Sequence, residues 1–153
     1  MPYEVNPIAF VHNERNTVSD DFWGGVVSEI RLVQALPAAT LEGLDSFSHA
    51  EILFLFDKAA DEDIVTTAAH PRGNPDWPKV GIFAQRKKDR PNHLGITICE
   101  IVKREEKSLF VKGLDAIDGT PILDIKPVIR EFLPRTEVRQ PGWCTELMKD
   151  YWK

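Results

Sequence analysis

The chain has 153 residues, of which 42% are hydrophobic and 28% charged, and its formal net charge is −5. This composition is typical of one globular domain and argues against disorder. A pI near 5.4 disfavours non-specific coating of nucleic acid, which requires a basic surface, but it does not exclude a local basic patch. The longest apolar run, residues 52–56, is far too short to span a bilayer, and the opening MPYEVNPIAF lacks the layout of a secretion signal. We therefore expect no membrane span, and two cysteines without metal-type spacing predict a reduced, cytoplasmic setting.

The first half of the chain predicts strands separated by short connections. Residues 5–11 and 25–33 are rich in β-branched and apolar side chains and are predicted to be strands. Residues 41–47 carry apolar side chains at helical spacing, which predicts a short helix or turn. Residues 52–56 are continuously apolar, which predicts a central strand buried on both faces. Residues 59–64 form a polar connection of about one helical turn.

The second half continues this pattern. Residues 70–79 contain three prolines and a glycine, so they are predicted to be a loop. Apolar or alternating runs predict four further strands, at residues 80–85, 95–103, 108–116 and 121–125. The strands at 95–103 and 108–116 are predicted to form a hairpin that turns at residues 104–107. Residues 144–152 have the pattern of an amphipathic helix. Many short strands with Pro- and Gly-rich turns predict a mainly β fold, a small single β-barrel with short helices.

A cationic cluster follows the predicted strand 80–85. Arg86, Lys87, Lys88 and Arg90 place four cations within five residues, and a Pro-Asn pair after them restricts the backbone. Such a loop can simply be solvated, or it can bind phosphate or carboxylate groups, for which the guanidinium fork is suited. Further residues that would extend the patch are Arg72, Lys79 and the aromatic Trp77, which can stack an unpaired base or fill a loop.

An acidic segment, residues 115–124, contains Asp115, Asp118 and Asp124 around a Gly-Thr-Pro turn. One interpretation is a tight turn in which an aspartate bonds the backbone, and the other is a site for a ribose or an amine. No histidine or additional oxygen ligand has suggestive spacing, so we expect no metal. Cys99 is predicted to be a small buried hydrophobe, and Cys144 has no neighbour that would activate a thiolate.

Three separated segments resemble the TsaA-like or TrmO family. They are LEGLDSFSHAEILFLF at 41–56, GIFAQRKKDRPNHLGIT at 81–97 and LDAIDGTPILDIKPVI at 114–129, in the family's order. The resemblance covers roughly residues 5–133, so we expect one domain over 1–153 with its core at 5–133 and a short tail at 134–153. It implies a small β-barrel that binds S-adenosylmethionine, usually as a homodimer with the cofactor near the subunit interface.

The resemblance also implies a function and a set of site residues. The family's activity is methylation of the N6 atom of N6-threonylcarbamoyladenosine beside the anticodon of tRNA. Carried over to this chain, the implied cofactor-binding residues are Asp57, Lys58, Arg86, Ile96, Asp115, Ala116, Ile117 and Asp118. The implied positioning residues for tRNA phosphate are Arg90, Lys87, Lys88 and Arg72. A general base is not evident from the sequence, and Asp118 is the candidate.

The chain departs from the family pattern at several positions. Gln85 replaces a threonine, His93-Leu94 replaces Pro-Ile, and Asp57 stands where many members have histidine. Residues 20–25, DDFWGG, lack the Pro-Arg-Gln that many members place at the cofactor. Two alternatives to the tRNA methyltransferase therefore stay open: a regulatory module that binds the cofactor without turnover, and a methyltransferase with a small-molecule acceptor.

Overall fold

Six antiparallel strands close into a barrel in the computed structural model, which describes residues 1–153. The strands of the protein, in chain order, are β1 Ala9–His12, β2 Val27–Leu32, β3 His49–Leu55, β4 Ala68–Ala69, β5 Val80–Gly81, β6 Leu94–Glu105, β7 Ser108–Lys112 and β8 Pro121–Pro127. The order around the barrel is β1-β2-β7-β6-β3-β8, and β4 and β5 form a separate two-stranded sheet. The predicted mainly β barrel is confirmed.

Short helices connect the strands. The single α-helix, α1, is Gly142–Leu147, and no helix is long and apolar enough to cross a membrane. The 3-10 helices are Ala38–Leu41, Leu44–Ser46, Asp61–Asp63, Pro71–Gly73, Ile82–Ala84, Pro91–His93 and Arg130–Phe132. They confirm the helical turns predicted within 41–47 and 59–64. α1 begins and ends earlier than the helix predicted at 144–152.

The core lies inside the barrel and follows the period-2 alternation of the strands. In β3 the inward residues are Ala50, Ile52 and Phe54, each at most 1% exposed. The alternate positions of β3 are half-buried or exposed, so the prediction of a strand buried on both faces was wrong. The reason is that only the inner face of the strand packs on the core, so the outer side chains keep part of their surface exposed. Cys99 on β6 also points inward, as predicted, and is 1% exposed.

The predicted hairpin at 95–116 is confirmed as β6 and β7, whereas the predicted strand at 80–85 is mostly wrong. Only Val80–Gly81 pairs as a strand, and Ile82–Ala84 turns into a 3-10 helix. The Gln85 amide group donates hydrogen bonds to the Ala69 and Val80 carbonyls, at 2.8 and 3.1 Å, which holds the chain in this turn. Sequence alternation alone did not indicate that contact.

β7 pairs with only the second half of β6, from Glu100 to Glu105. The first half of β6 pairs with β3 on one side and has no β7 partner on the other. We call this open edge of β6, residues 94–99, the seam. The loop between β7 and β8 runs beside it, so the seam is an opening in the barrel wall where backbone groups can meet side chains or a ligand.

The last part of the chain returns to this end of the barrel. Residues 131–140 are all exposed, and residues 141–153, which we call the strap, then lie against the loop between β1 and β2. The Phe22 and Trp23 amides donate to the Asp150 and Tyr151 carbonyls at 3.1 and 2.8 Å. The strap therefore packs on the loops that surround the seam.

Gly95 lies directly under the aromatic core. A Cβ at this position would be 2.5 and 2.6 Å from ring atoms of Phe54 and 2.9 Å from Phe56. We expect Gly95→Ala to lower the free energy of unfolding by about 1–3 kcal/mol, because the rings must move in a packed core. Urea denaturation measures this change. The control is Gly81→Ala, where no atom lies within 4 Å of the added Cβ. Equal stability of the two variants would contradict the packing described here.

Candidate functional site

Three loops meet at one end of the barrel because β1 and β7 end there and β6 begins there. These loops are residues 13–26 after β1, residues 113–120 after β7 and residues 82–93 before β6. The antiparallel pairing of β1 with β8, Phe10 opposite Pro121, fixes the first two beside each other. The cationic and acidic segments singled out in the sequence are thus brought to the same end of the molecule.

A carboxylate is held at the seam by two hydroxyl groups. The Thr97 hydroxyl of β6 donates to one oxygen of Asp115, and the Tyr151 hydroxyl of the strap donates to the other. One residue away on β6, the Ile96 carbonyl accepts a hydrogen bond from the Arg86 guanidinium. Arg86, Ile96 and Asp115, three of the predicted cofactor-binding residues, therefore lie around the same strand edge.

The electrostatics at the seam keep Tyr151 protonated. Burial, followed by the negative charge of Asp115 and the hydrogen bond to it, raises the pKa of Tyr151 far above its usual range. The positive charges of Arg86 and Arg72 oppose this rise in the pKa of Tyr151. Burial and the charge of Asp115 likewise raise the pKa of the Cys99 thiol, so Cys99 is not a nucleophile at neutral pH.

A second network holds the other aspartate of the turn. Asp118 accepts a hydrogen bond from the Asn13 amide at 3.1 Å, and its own amide donates to the Arg15 carbonyl at 2.6 Å. The Asn13 side chain donates to the Ser28 hydroxyl and to the Ala116 carbonyl, both at 2.9 Å. These contacts fix the turn against the loop after β1 and leave Asp118 itself exposed.

Arg15 connects this network to the predicted residue Arg72. Its guanidinium donates to the Phe22 and Asp21 carbonyls, at 2.9 and 3.1 Å, and lies 3.9 Å from the centre of the Trp23 ring. The Asp21 carboxylate accepts two hydrogen bonds from Arg72, at 2.9 and 3.3 Å. Arg72 is therefore fixed beside the residues 20–25 in which the family pattern is missing.

The predicted phosphate-positioning residues have internal partners at this end of the barrel. The Arg90 guanidinium donates to the Gln85 carbonyl, and Lys88 pairs with Asp89 at 2.8 Å. Lys87 is half-exposed and has no salt-bridge partner. These contacts hold the positive charges close to the loop surface.

The other predicted site residues are less closely joined to the seam. Asp57 and Lys58 follow β3 and pair with each other at 3.9 Å. The side chain of Ala116 is buried, and the carbonyls of Ala116 and Ile117 already accept hydrogen bonds from Asn13 and Thr120. Asp124 lies on β8 and pairs with Lys126 at 3.0 Å, away from the turn.

Two surface grooves lie outside the predicted site. One, of about 710 Å³, is formed beside the β6–β7 hairpin by charged residues such as Glu29, Arg31 and Glu105. The other, of about 410 Å³, is lined by apolar residues near Leu41 and Ile125. Neither groove includes Arg86 or Asp115. No group of three or more His, Cys, Asp or Glu side chains is arranged to hold a metal ion.

Sequence reasoning missed Tyr151, Thr97, Asn13 and Arg15 as site residues. Tyr151 is 36 residues from Asp115 along the chain, and no local pattern indicates that contact. For Thr97 a signal was present: the alternation of β6 places it on the inward face beside Cys99, so a hydroxyl there needs a buried partner.

Fold and site together define a small antiparallel β-barrel whose candidate site is built by loops beside an open strand edge. The family model of the tRNA-methyltransferase O N-terminal domain matches residues 18–132, which is most of the chain. The protein therefore belongs to the TrmO family. This confirms the resemblance seen in the three sequence segments.

Individual relatives agree with this assignment. A human tRNA (adenine(37)-N6)-methyltransferase is 39% identical over 105 residues, which are 69% of this chain and 23% of that protein. A putative S-adenosylmethionine-dependent methyltransferase, RcsF, of Pseudomonas aeruginosa is 38% identical over 145 residues, 84% of this chain and 56% of that protein. A probable S-adenosyl-L-methionine-binding protein of Methanothermobacter thermautotrophicus is 33% identical over 130 residues, 83% of this chain and 90% of that protein. The chain thus spans about a quarter of the human relative and most of the archaeal one.

Solved structures share the fold. A crystal structure of TrmO from Pseudomonas aeruginosa superposes with a TM-score of 0.71 at 26% identity, covering 91% of this chain and 62% of that chain. Another crystal structure of TrmO gives a TM-score of 0.74 at 27% identity, covering 92% and 64%. The overall fold is therefore shared with solved structures of TrmO.

Asn13 bonds to both Asp118 and Ala116 of the acidic turn, so its contribution to the stability of the fold can be measured by substitution. We expect Asn13→Ala to lower the free energy of unfolding by about 1–3 kcal/mol, because the buried Ser28 hydroxyl and the Ala116 carbonyl lose their partner. The matched control is Asn6→Ala at an exposed position, with an expected change within about 0.5 kcal/mol. Chemical denaturation measures the free energy of unfolding of both variants. If Asn13→Ala leaves this free energy unchanged, the network does not contribute to the stability of the fold.

Proposed function

We propose that this protein binds S-adenosylmethionine at the seam and transfers its methyl group to the N6 atom of N6-threonylcarbamoyladenosine beside the anticodon of tRNA. The single observation that supports the site is the meeting of Arg86, Ile96 and Asp115 around an open strand edge. The names of the human and Pseudomonas relatives support the reaction.

The residues at the seam fit the chemistry of this cofactor. A carboxylate such as Asp115 accepts hydrogen bonds from ribose hydroxyl groups, and a guanidinium such as Arg86 pairs with a carboxylate like that of the methionine moiety. An unpaired strand edge offers backbone donors and acceptors of the kind that the edge of an adenine base requires. Ile96, 40% exposed, adds apolar contact area beside them.

The protein's part in the reaction is mainly positioning. Bound S-adenosylmethionine supplies a methyl group that is already activated on sulfur. Asp115 would orient the cofactor ribose, and Arg86 would fix its charged end, so that the methyl group faces the acceptor nitrogen in line. Asp118, exposed at the turn, is our candidate for accepting the proton that the acceptor nitrogen loses.

The cations at this end of the barrel are our candidates for contacting tRNA. Lys87 and Lys88 are half-exposed on the loop before β6, Arg90 lies on the same loop, and Arg72 lies on another loop. A protein with a net charge of −5 needs such a local patch to approach a polyanion. Because phosphate contacts release counterions, binding of tRNA should weaken steeply as the salt concentration rises, whereas binding of a small acceptor should not. A tRNA acceptor also agrees with the cytoplasmic location expected from the sequence.

We further propose a homodimer formed through the outer face of β3 and β6. Apolar residues follow one another on this face: Leu94, Ile96 and Ile98 are 39, 40 and 46% exposed, and Leu53 lies opposite Ile96 on the neighbouring strand. Apolar surface of this kind marks interaction sites. The face adjoins the seam through Arg86, so a second copy on it would stand next to the proposed cofactor site.

A second candidate function is binding of the cofactor without turnover. The archaeal relative that this chain covers for 90% of its length is named a probable S-adenosyl-L-methionine-binding protein. The internal pairing of Arg90, Lys88 and Arg72 agrees with this alternative, since these cations already have partners. The two candidates differ in whether a methyl group is transferred.

Arg86→Ala is expected to weaken binding of S-adenosylmethionine by about tenfold or more, because a hydrogen bond to a charged group is lost. The matched control is Lys107→Ala, at the other end of the barrel, where the ammonium donates to the Gln34 carbonyl at 3.1 Å. Isothermal titration calorimetry measures both. Equal effects of the two changes would remove Arg86 from the site, and a wild-type protein without saturation at millimolar ligand would refute the cofactor.

Methyl transfer is tested with labelled S-adenosylmethionine and total tRNA from cells that lack this activity. We expect the label in digested nucleosides as a methylated N6-threonylcarbamoyladenosine, identified by mass spectrometry, and less of it with Arg86→Ala. Binding without transfer to any tRNA or small acceptor would favour the cofactor-binding module.

Ile98→Glu is expected to convert the dimer to a monomer, because two buried charges would meet no partner in the interface. Analytical ultracentrifugation gives the mass of each variant. The control is Val27→Glu, which is 50% exposed on β2, across the barrel from β3. A wild-type protein that sediments as a monomer, or a variant that stays dimeric, would contradict the proposed interface.

A further inference from the structure

The strap, residues 141–153, is attached to the loops around the seam by a small number of contacts. Its backbone carbonyls at Asp150 and Tyr151 accept the Phe22 and Trp23 amides, and the Trp77 indole donates to Glu146 at 2.7 Å. The strap backbone also approaches the loop after β1 closely, because a Cβ added at Gly24 would overlap the Trp152 carbonyl oxygen. These contacts set the position of the strap across the site.

The strap is held to the barrel by residues that are half-buried or exposed, and residues 131–140 before it are all exposed. Segments with few buried apolar contacts open at a much lower free energy than the whole domain. The strap is therefore expected to open at a lower free energy than the six strands of the barrel.

The contact that matters for the site is the one between Tyr151 and Asp115. The two carboxylate oxygens of Asp115 accept the Tyr151 and Thr97 hydroxyl groups. Thr97 belongs to β6 and cannot move away, whereas Tyr151 belongs to the strap. Each carboxylate oxygen can accept more than one hydrogen bond, so a ligand hydroxyl can share the Thr97 oxygen, whereas on the other oxygen it meets the phenol of Tyr151 and competes with it for space.

We propose that the strap is an autoinhibitory latch in which Tyr151 competes with S-adenosylmethionine for Asp115. This inference rests on the proposed cofactor site. In the closed state the tyrosine occupies the carboxylate and the strap covers the loops beside the seam. Ligand binding displaces Tyr151 and releases the strap, and because the coupling is reciprocal, anything that draws the strap away strengthens ligand binding by the same factor.

Two variants weaken the latch by different routes. Tyr151→Phe removes the hydroxyl, and Gly24→Ala places a methyl group where the Trp152 carbonyl lies. We expect both to bind S-adenosylmethionine with a dissociation constant roughly three- to tenfold lower and with faster association, as measured by stopped-flow fluorescence and calorimetry. Gly25→Ala is the control, because no atom lies within 4 Å of its added Cβ, and we expect wild-type binding.

Hydrogen exchange shows the movement of the strap independently of affinity. The Phe22 and Trp23 amides, which bond to strap carbonyls, should exchange faster than the Ile52 amide of the core. Tyr151→Phe should accelerate exchange at these two amides alone. S-adenosylmethionine should also accelerate it, because the bound protein holds the strap open.

The outcomes separate the latch from the proposed function. Wild-type or weaker affinity in both variants, or protection of the Phe22 and Trp23 amides by the ligand, would overturn the latch while leaving the cofactor site intact. Exchange at these amides only through global unfolding would overturn it as well. If the wild type and both variants bind no S-adenosylmethionine although the strap opens, the cofactor site itself is refuted, and the latch with it.

Discussion

The incomplete pairing of β6 with β7 is the constraint on which the candidate site depends. β7 leaves β6 at Glu100, and the chain then crosses the end of the barrel instead of continuing the ladder. This departure opens a strand edge in a wall that is otherwise closed. Arg86 and Asp115 take up positions along that edge, one through a carbonyl and one through a hydroxyl group. In a fully paired β6 the Ile96 carbonyl would belong to the ladder, and Arg86 would lose its partner on the strand.

Positive and negative side chains lie at the same end of the molecule, and most of the arginines there form no salt bridge with a carboxylate. The guanidinium groups of Arg86, Arg15 and Arg90 bond to backbone carbonyls, and only Arg72 is fixed by a carboxylate. Carbonyl oxygens carry partial charge, so each of these three cations keeps most of its field available to a ligand. The carboxylate of Asp115 is likewise held by neutral hydroxyl groups. A site that must bind a zwitterionic ligand benefits from this arrangement.

Much of the fold could be predicted from the sequence because it is encoded by local alternation. The β6–β7 hairpin, the inward position of Cys99 and the barrel itself follow from strands whose side chains alternate between core and surface. The end of the strand at Gly81 could not be predicted, since it depends on Gln85 reaching the Ala69 carbonyl across a loop.

The site was predicted as far as charge concentration and family resemblance could indicate it. Arg86, Ile96 and Asp115 were named from the sequence, and the structure brings them together, although their role in binding stays a prediction. Tyr151 could not be named because its importance comes from the path of residues 131–153 in space, which no periodicity encodes. Asp57 and Lys58 were named with equal weight, yet the structure joins them only to each other.

β6 has a different neighbour on each of three sides, and this limits how the length of the strand can change in evolution. Its inward side chains fill the barrel, its outward side chains form the apolar face, and its free edge receives Arg86. Insertion or loss of one residue at the start of β6 would turn every following side chain to the opposite surface, sending Thr97 and the Cys99 thiol outward and isoleucine into the interior. Length changes in this protein and its kin should therefore accumulate elsewhere, in the hairpin turn or in the exposed stretch before the strap, while this strand keeps a fixed count.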